Sequence, residues 1–247
     1  MIKIINLNKS FDGKPILKDF DLDIPKGEVF ALVGKSGCGK SVLLKHILRL
    51  IHPDSGEIWI DGKNIDQLSF KELEKLKLQI GMVFQNSALF DSLNVEENVG
   101  FPLSEHSSLN KGKLREKVER ALKAVNLEGI LDKMPSELSG GMRKRVAFAR
   151  AIIMEPPILL FDEPTTGLDP ITSDVINQLM VKLKGMLHVT GILVTHDLKS
   201  AFSVADRVGM IHAGQIYKIA TPREFEQSDD PIIRNFVLGK ADEIVID

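Results

Sequence analysis

Apolar residues crowd the first third of the chain into short runs separated by turn residues. Lys3 to Leu7, Ile16 to Ile24 and Glu28 to Val33 are rich in Ile, Leu, Val and Phe. Asp12-Gly13 and Pro25-Lys26-Gly27 divide them, so three strands with tight connections are predicted. Asp19 to Ile24 alternates polar and apolar residues, as a half-buried antiparallel strand does. Glu57 to Ile60, between Ser55-Gly56 and Asp61-Gly62, predicts another strand, and Ser41 to Leu50 predicts a helix. The period changes in the middle. Leu114, Val118, Ala121, Leu122 and Val125 fall at i, i+4, i+7, i+8 and i+11, one face of a helix. Met142 to Met154 predicts a second long helix. In the last third, strand Ile158 to Phe161 is followed by a helix with Val175, Ile176, Leu179, Met180, Leu183 and Leu187 on one stripe. Strand Gly191 to Thr195 comes next. Strand, helix and strand in that order predict parallel βαβ units.

One element junction carries chemistry. Gly34-Lys35-Ser36-Gly37-Cys38-Gly39-Lys40-Ser41 follows the strand ending at Val33 and opens a helix. It matches G-x-x-x-x-G-K-[ST] in the context that phosphate-binding loop requires. Glycines let the backbone curl its N–H groups inward, and the helix N-terminus adds positive potential. Lys40 suits the β- and γ-phosphates of a nucleotide, and the Ser41 hydroxyl suits Mg²⁺. By chance such an octapeptide arises in roughly 1% of chains of this size. Cys38 sits inside the loop near a helix N-terminus, which favours thiolates. The loop position also tolerates many side chains, but alkylation there is expected to block ATP.

Three further strand ends hold polar groups. Asp162-Glu163 follows the apolar run Ile158 to Phe161. Asp162 there suits Mg²⁺, and Glu163 suits the polarising of an attacking water. An acidic loop after a buried strand is the plainer reading of the pair alone. His196 ends the strand Gly191 to Thr195, where ligands bind in parallel sheets, and suits a γ-phosphate contact. Gln85 ends Gly81-Met82-Val83-Phe84. Its neutral amide suits Mg²⁺ or the water, although glutamines end strands often.

Leu138-Ser139-Gly140-Gly141-Met142 precedes a helix that Ser139 is placed to cap. The two glycines leave N–H groups open, which makes a second anion site. Two phosphate sites for one nucleotide suggest that two chains share each ATP.

Together these residues resemble the ABC ATPase family over nearly the whole chain. Walker A is Gly34 to Ser41, the Q-loop is Gln85, and the signature is Leu138 to Met142. Walker B is Ile158 to Asp162 followed by Glu163, the D-loop is Gly167-Leu168-Asp169, and the H-switch is His196. Phe11 stands where the family stacks an aromatic on adenine. Met142 departs from the family's usual Gln. The resemblance implies an α/β fold, a P-loop ABC ATPase core with an N-terminal antiparallel β subdomain and an inserted helical subdomain. The core is expected at about 1–85 and 156–225, the helical part at about 86–155, and a short tail at 226–247. The family works as a head-to-tail dimer, ATP lying between Walker A of one chain and the signature of the other. Ser139, Gly140, Gly141 and Asp169 are therefore expected to reach a partner's nucleotide. Glu163, His196 and Gln85 are the expected catalytic set, and Ser41, Gln85 and Asp162 the expected Mg²⁺ ligands.

A narrower resemblance lies in Phe84-Gln85-Asn86-Ser87-Ala88-Leu89-Phe90-Asp91-Ser92-Leu93-Asn94-Val95, Glu97-Asn98-Val99 and Phe101-Pro102-Leu103. With Pro135 to Met142 and basic Arg143, Lys144 and Arg145, it looks like the Mla/Mce-type lipid transporters, and Met142 fits that group. This implies a multi-pass permease docking near Gln85 to Phe101, an Mce-domain lipid-binding partner and phospholipid cargo. Polar amino-acid importers share some of these patterns, so an importer for a small polar solute stays open. A soluble ABC-type assembly scaffold is the reading from another class.

Composition narrows the rest. The 247 residues carry a formal net charge of −2, with 32 basic and 34 acidic residues. That balance offers no surface for nucleic acid. One cysteine among 247 residues excludes an intrachain disulfide and suits a reducing compartment. No apolar run approaches a membrane span, and the N-terminus has no apolar signal core. The expectation is a chain peripheral to the cytoplasmic face of the inner membrane, held by its permease. The tail Pro231 to Leu238 has apolar residues on one helical face and is expected to pack back on the core.

Overall fold

A computed structural model describes residues 1–240; the last part of the 226–247 tail, residues 241–247, lies outside the described residues. By its contacts the chain forms two compact units, 1–68 with 192–247, and 69–191.

The first unit begins with β1 (Ile2–Phe11) and β2 (Lys14–Ile24), an antiparallel pair. At their hairpin both Asp12 and Gly13 have positive φ, 50° and 75°, the conformation a two-residue turn demands. The next strand, β3 (Val29–Val33), is buried at every residue and leads through residues 34–39 into α1 (Lys40–Ile47). Strands β4 (Ser55–Ile60) and β5 (Lys63–Asn64) complete an antiparallel sheet of order β2-β1-β4-β5. Ile2, Ile4, Leu7, Phe20 and Ile58 are buried, so the alternation seen in the sequence marks the packed face.

The second unit opens with α2 (Phe70–Lys77) and β6 (Ile80–Val83). Helices α3 (Val95–His106) and α4 (Lys111–Ala124) follow, then a 3-10 turn at Pro135–Glu137 and α5 (Gly140–Ile152). Val118, Ala121, Leu122 and Val125 are buried as the helical period predicts. Strand β7 (Ile158–Asp162) pairs parallel with β6, Val83 opposite Phe161. Helix α6 (Pro170–Leu187) buries Ile176, Leu179, Met180 and Leu183. Val175, expected on that stripe, is 42% exposed. It lies one position off the buried row, beside Ile176, and the real inward face includes the polar Asn177 instead.

Strand β8 (Thr190–Val194) starts in the second unit and ends in the first. The first unit closes with α7 (Leu198–Val204), β9 (Arg207–His212), β10 (Gln215–Ala220), α8 (Pro222–Glu226) and α9 (Pro231–Val237). β9 pairs parallel with β3, Val33 opposite Met210, and antiparallel with β10. Val29 and Asp206 lock the start of that parallel pair. The Val29 N–H donates to the Asp206 carboxylate and the Asp206 N–H to the Val29 carbonyl, both at 2.8 Å. The tail helix α9 buries Ile233, and Tyr217 of β10 donates to Asp230 at its start, 2.8 Å. Among the described residues no helix is long and apolar enough to cross a membrane.

Candidate functional site

In the first unit the phosphate loop leaves β3 at its C-terminal end. Ligands gather at that edge of a parallel sheet. A side chain at Gly34 would meet Ile211 and Cys38, its Cβ lying 2.6 Å from Ile211 Cγ2 and 2.9 Å from Cys38 Sγ. Only glycine fits there. Gly39, at φ +108°, turns the backbone into α1 and gives the helix no side-chain cap. The first turn of α1 therefore faces the loop with main-chain donors, the arrangement that binds phosphate. Lys40 is 6% exposed. Its ammonium spans the loop, donating to the carbonyls of Gly34 (2.9 Å) and Lys35 (3.1 Å). Lys35, Ser36 and Gly37 are exposed, Cys38 and Ser41 half-buried. The loop is thus closed around its lysine and open at its rim. Phe11, at the tip of β1, is 42% exposed with Lys9 Nζ 5.4 Å from its ring centre. An exposed aromatic face beside a cation suits a stacked base.

His196 is exposed at the end of β8. The Asp197 N–H donates to Thr195 Oγ1 at 3.0 Å. The Asp197 carboxylate accepts from Lys199 N–H (3.0 Å) and Ser200 Oγ (2.6 Å). Both neighbours of His196 are pinned, so its backbone is held while the ring faces outward.

The second unit assembles the acidic half. Because Val83 lies opposite Phe161, Gln85 and Asp162-Glu163 emerge at the same edge of the β6–β7 pair. Asp162 is half-buried and Glu163 is 8% exposed. Glu163 sits at φ +49°, a left-handed conformation uncommon for a non-glycine residue and typical of functional turns. Its carboxylate accepts from Thr166 Oγ1 at 3.1 Å. Gln85 is exposed, and its carbonyl accepts from Lys144 Nζ at 2.5 Å. Lys144, on α5, is 5% exposed. Burial lowers its pKa, while the charges of Glu163 and Asp162 act to raise it.

Helix α5 starts at the signature. The Ser139 hydroxyl accepts from Met142 N–H at 3.2 Å, as capping requires, and its O–H hydrogen remains a donor. Gly140 and Gly141 form the open first turn. Asp169 caps α6. Its carboxylate accepts from the N–H groups of Ile171 and Thr172, 3.0 Å each, and from Thr172 Oγ1 at 2.5 Å. The Thr172 bonds hold its pKa below the ordinary carboxylate value.

The segment from Phe84 to Leu103 is built around Asn98, which is fully buried. Its amide donates to the carbonyls of Phe90 (3.0 Å), Leu93 (2.8 Å) and Asn94 (3.0 Å) and accepts from Phe90 N–H at 2.8 Å. Arg150 donates to the carbonyls of Ser87 and Ala88, 2.9 Å each. These anchors hold a groove of about 460 Å³ lined by Met82, Phe84, Phe90, Phe101, Pro102 and Met154. The rings of Phe90 and Phe101 lie 4.8 Å apart, and both are at least 36% exposed.

Sequence reasoning placed Lys144 only within a basic run and passed over Arg150 and Thr166. A signal for Lys144 exists. It falls three, four and seven residues before Ala147, Phe148 and Ala151, all buried, so it is a charge on the inward face of its helix.

The ABC transporter family pattern matches residues 17–166. A relative from Mycobacterium leprae, the "probable ribonucleotide transport ATP-binding protein mkl", is 40% identical over 97% of this chain and 69% of its own length. The "intermembrane phospholipid transport system ATP-binding protein MlaF" of Haemophilus influenzae is 39% identical over 98% of this chain and 92% of its own. A solved structure, the dimeric ATP-binding cassette MJ0796 in a post-hydrolysis state bound to ADP and Pi, superposes with TM-score 0.82 at 35% identity. It covers 90% of this chain and 99% of that one. With the phosphate loop, the acid pair and the signature placed as described, the chain belongs to the ABC transporter family.

Proposed function

We propose that the chain is the ATP-hydrolysing subunit of a membrane ABC transporter that moves phospholipid between membranes. The observation that carries the enzymatic half is Glu163, shielded at the end of β7, held by Thr166 and followed by the loop to Asp169. A fixed carboxylate there polarises the water that attacks the γ-phosphate. His196 contacts the γ-phosphate and Gln85 holds the water. The N–H groups of Gly34 to Ser41 and the Lys40 ammonium bind the phosphates, and Phe11 stacks on adenine. Ser41, Asp162 and Gln85 offer hydroxyl, carboxylate and amide oxygens, hard donors that suit Mg²⁺. These residues would hold Mg²⁺, which would supply positive charge to offset the negative charge of the nucleotide phosphates.

The dimeric relative supports a homodimer in which Ser139, Gly140 and Gly141 of one chain meet the ATP held by the other. Asp169 acts there by shaping the turn it caps. Residues 86–155 form the helical subdomain that carries the signature. The aromatic groove near Phe84, Phe90 and Phe101 receives a helix of a multi-pass permease, which holds the chain at the cytoplasmic face of the membrane. For the cargo, the phospholipid-transport relative matches over 92% of its own length, whereas the match to the ribonucleotide-named relative covers only 69% of that protein. An Mce-domain protein is the expected lipid-binding partner.

Two measurements test this reading. Glu163→Gln is expected to keep ATP binding and lose hydrolysis by at least about 10²-fold; near-normal turnover refutes the assignment. Pull-down from native membranes, with lipids and partners identified by mass spectrometry, is expected to return a permease, an Mce-type protein and phospholipid. A soluble solute-binding protein instead would move the cargo to a small polar molecule, and soluble partners alone would favour a scaffold.

A further inference from the structure

The ammonium of Lys144, on α5, lies at the edge of the β6–β7 pair where Gln85 emerges. It donates to the Gln85 carbonyl at 2.5 Å and lies within the field of Asp162 and Glu163. The residue is 5% exposed, and a buried charge persists only where its partners satisfy it. A lysine that merely filled space would be replaced at no loss by a methionine of similar length. Its neighbour on the helix, Arg150, makes the contrast. Arg150 also holds main-chain carbonyls, those of Ser87 and Ala88, but its other contact is the ring of Phe90, 5.8 Å away. Arg150 therefore clamps the docking segment, whereas Lys144 holds the Gln85 carbonyl at the strand edge where the acids also emerge.

We propose that Lys144 is a positioning residue for ATP hydrolysis, setting the Gln85 backbone against the Asp162–Glu163 pair from the helix that begins at the signature. The inference rests on the ATPase reading. By holding the Gln85 carbonyl, Lys144 fixes where Gln85 presents its amide at the edge it shares with the Asp162–Glu163 pair. Loss of the charge is felt in the chemical step, because positioning errors of about 1 Å cost catalysis far more than binding.

The test uses the full chain purified with its native membrane partners. Lys144→Met is expected to lower kcat at least about tenfold while KM for ATP stays within about twofold. Lys144→Arg, which keeps the charge and a donor, is expected to restore most of the rate. If Lys144→Met does not fold, Lys144→Gln takes its place, keeping a donor without the charge. Wild-type kcat in the uncharged variant overturns the proposal. So does a Lys144→Arg variant as slow as the uncharged one, since that outcome assigns the loss to shape. Glu163→Gln run alongside separates the two levels. If it turns over normally, the ATPase reading has failed. If it is dead and Lys144→Met is normal, only the role of Lys144 falls.

Discussion

Gly140→Ala should raise or preserve stability and yet abolish function. Gly140 opens α5 at ordinary helical φ, and a Cβ built on it would meet only Leu168 Cδ2 at 3.6 Å, normal contact distance. Alanine is better than glycine in a helix by about 1 kcal/mol. In the first turn about half of that is expected, a Tm gain of about 1–2 °C for a chain of this size. On the proposed function the first turn of α5 presents its main-chain N–H groups to a partner's γ-phosphate, and a methyl at Gly140 would crowd that approach. Displacing a phosphate oxygen from one preorganised donor costs about 2.7–4 kcal/mol, or 10²–10³-fold in rate. Stability and activity therefore move in opposite directions. Thermal unfolding and ATP turnover of the assembled transporter read the two effects separately. Full turnover in Gly140→Ala would refute the signature as a phosphate site, and a Tm lowered by several degrees would refute the packing argument. Gly141 supplies the contrast. A Cβ there would lie 2.7 Å from Thr172 Cγ2, and Thr172 is held by its hydroxyl bond to Asp169. Gly141→Ala must displace that side chain, so it loses about 1–3 kcal/mol of stability as well as activity.

Alkylating Cys38, half-buried in the phosphate loop, is expected to block ATP binding, and ATP to protect the thiol. Modified protein that binds ATP normally would end that idea. His46 is buried on α1, its Nδ1 bonded to the Val42 carbonyl at 2.8 Å and its Nε2 without a hydrogen-bond partner. Burial is the main cause holding its pKa below 6.5, so the folded state keeps it neutral while the unfolded chain protonates first. Its stability contribution is whole above pH 6.5 and declines as pH falls below it, by at most about 1.4 kcal/mol per pH unit. Denaturant unfolding between pH 5.5 and 7.5 should show this slope, flattened in His46→Met; an equal slope in both would remove His46 as its source.

The strands of the core were legible because their burial follows their pattern: β3 and β7 are continuous apolar runs, β2 alternates. The helices α2 and α3 were not read. In α3 the apolar positions Val95, Val99 and Leu103 do hold a helical spacing, but Gly100 and Pro102 interrupt it. The start signal was present all the same, since Asn94 and Glu97 form a reciprocal capping box, as do Ser69 and Glu72 for α2. The final strands β9 and β10 went unread although Ala213-Gly214, both at positive φ, mark their hairpin. Site residues sit on strand ends and motif glycines, which local sequence specifies. Lys144 and Arg150 act through contacts 59 to 63 residues apart along the chain; local spacing marks Lys144 as inward-facing but does not name its partner, whereas Thr166 lies only three residues from Glu163.

Those long-range contacts share a single helix, and this has a mechanical consequence. Along α5, Ser139 caps the signature, Lys144 binds the Gln85 carbonyl, Phe148 stacks on Phe161 of β7 at 5.6 Å, and Arg150 binds Ser87 and Ala88. From Gly140 to Arg150 the helix rises about 15 Å. A packed helix moves as a rigid rod, because its interior cannot compress to absorb a shift. Arg150 also stands over Phe90, which lines the aromatic groove. The groove, the signature turn and the Gln85 carbonyl are thus joined through contacts to one helix. On the proposed function, a permease helix in the groove would act on the signature turn and on the Gln85 end of β6 through this one helix, so that binding at a surface without chemistry would govern chemistry elsewhere in the unit.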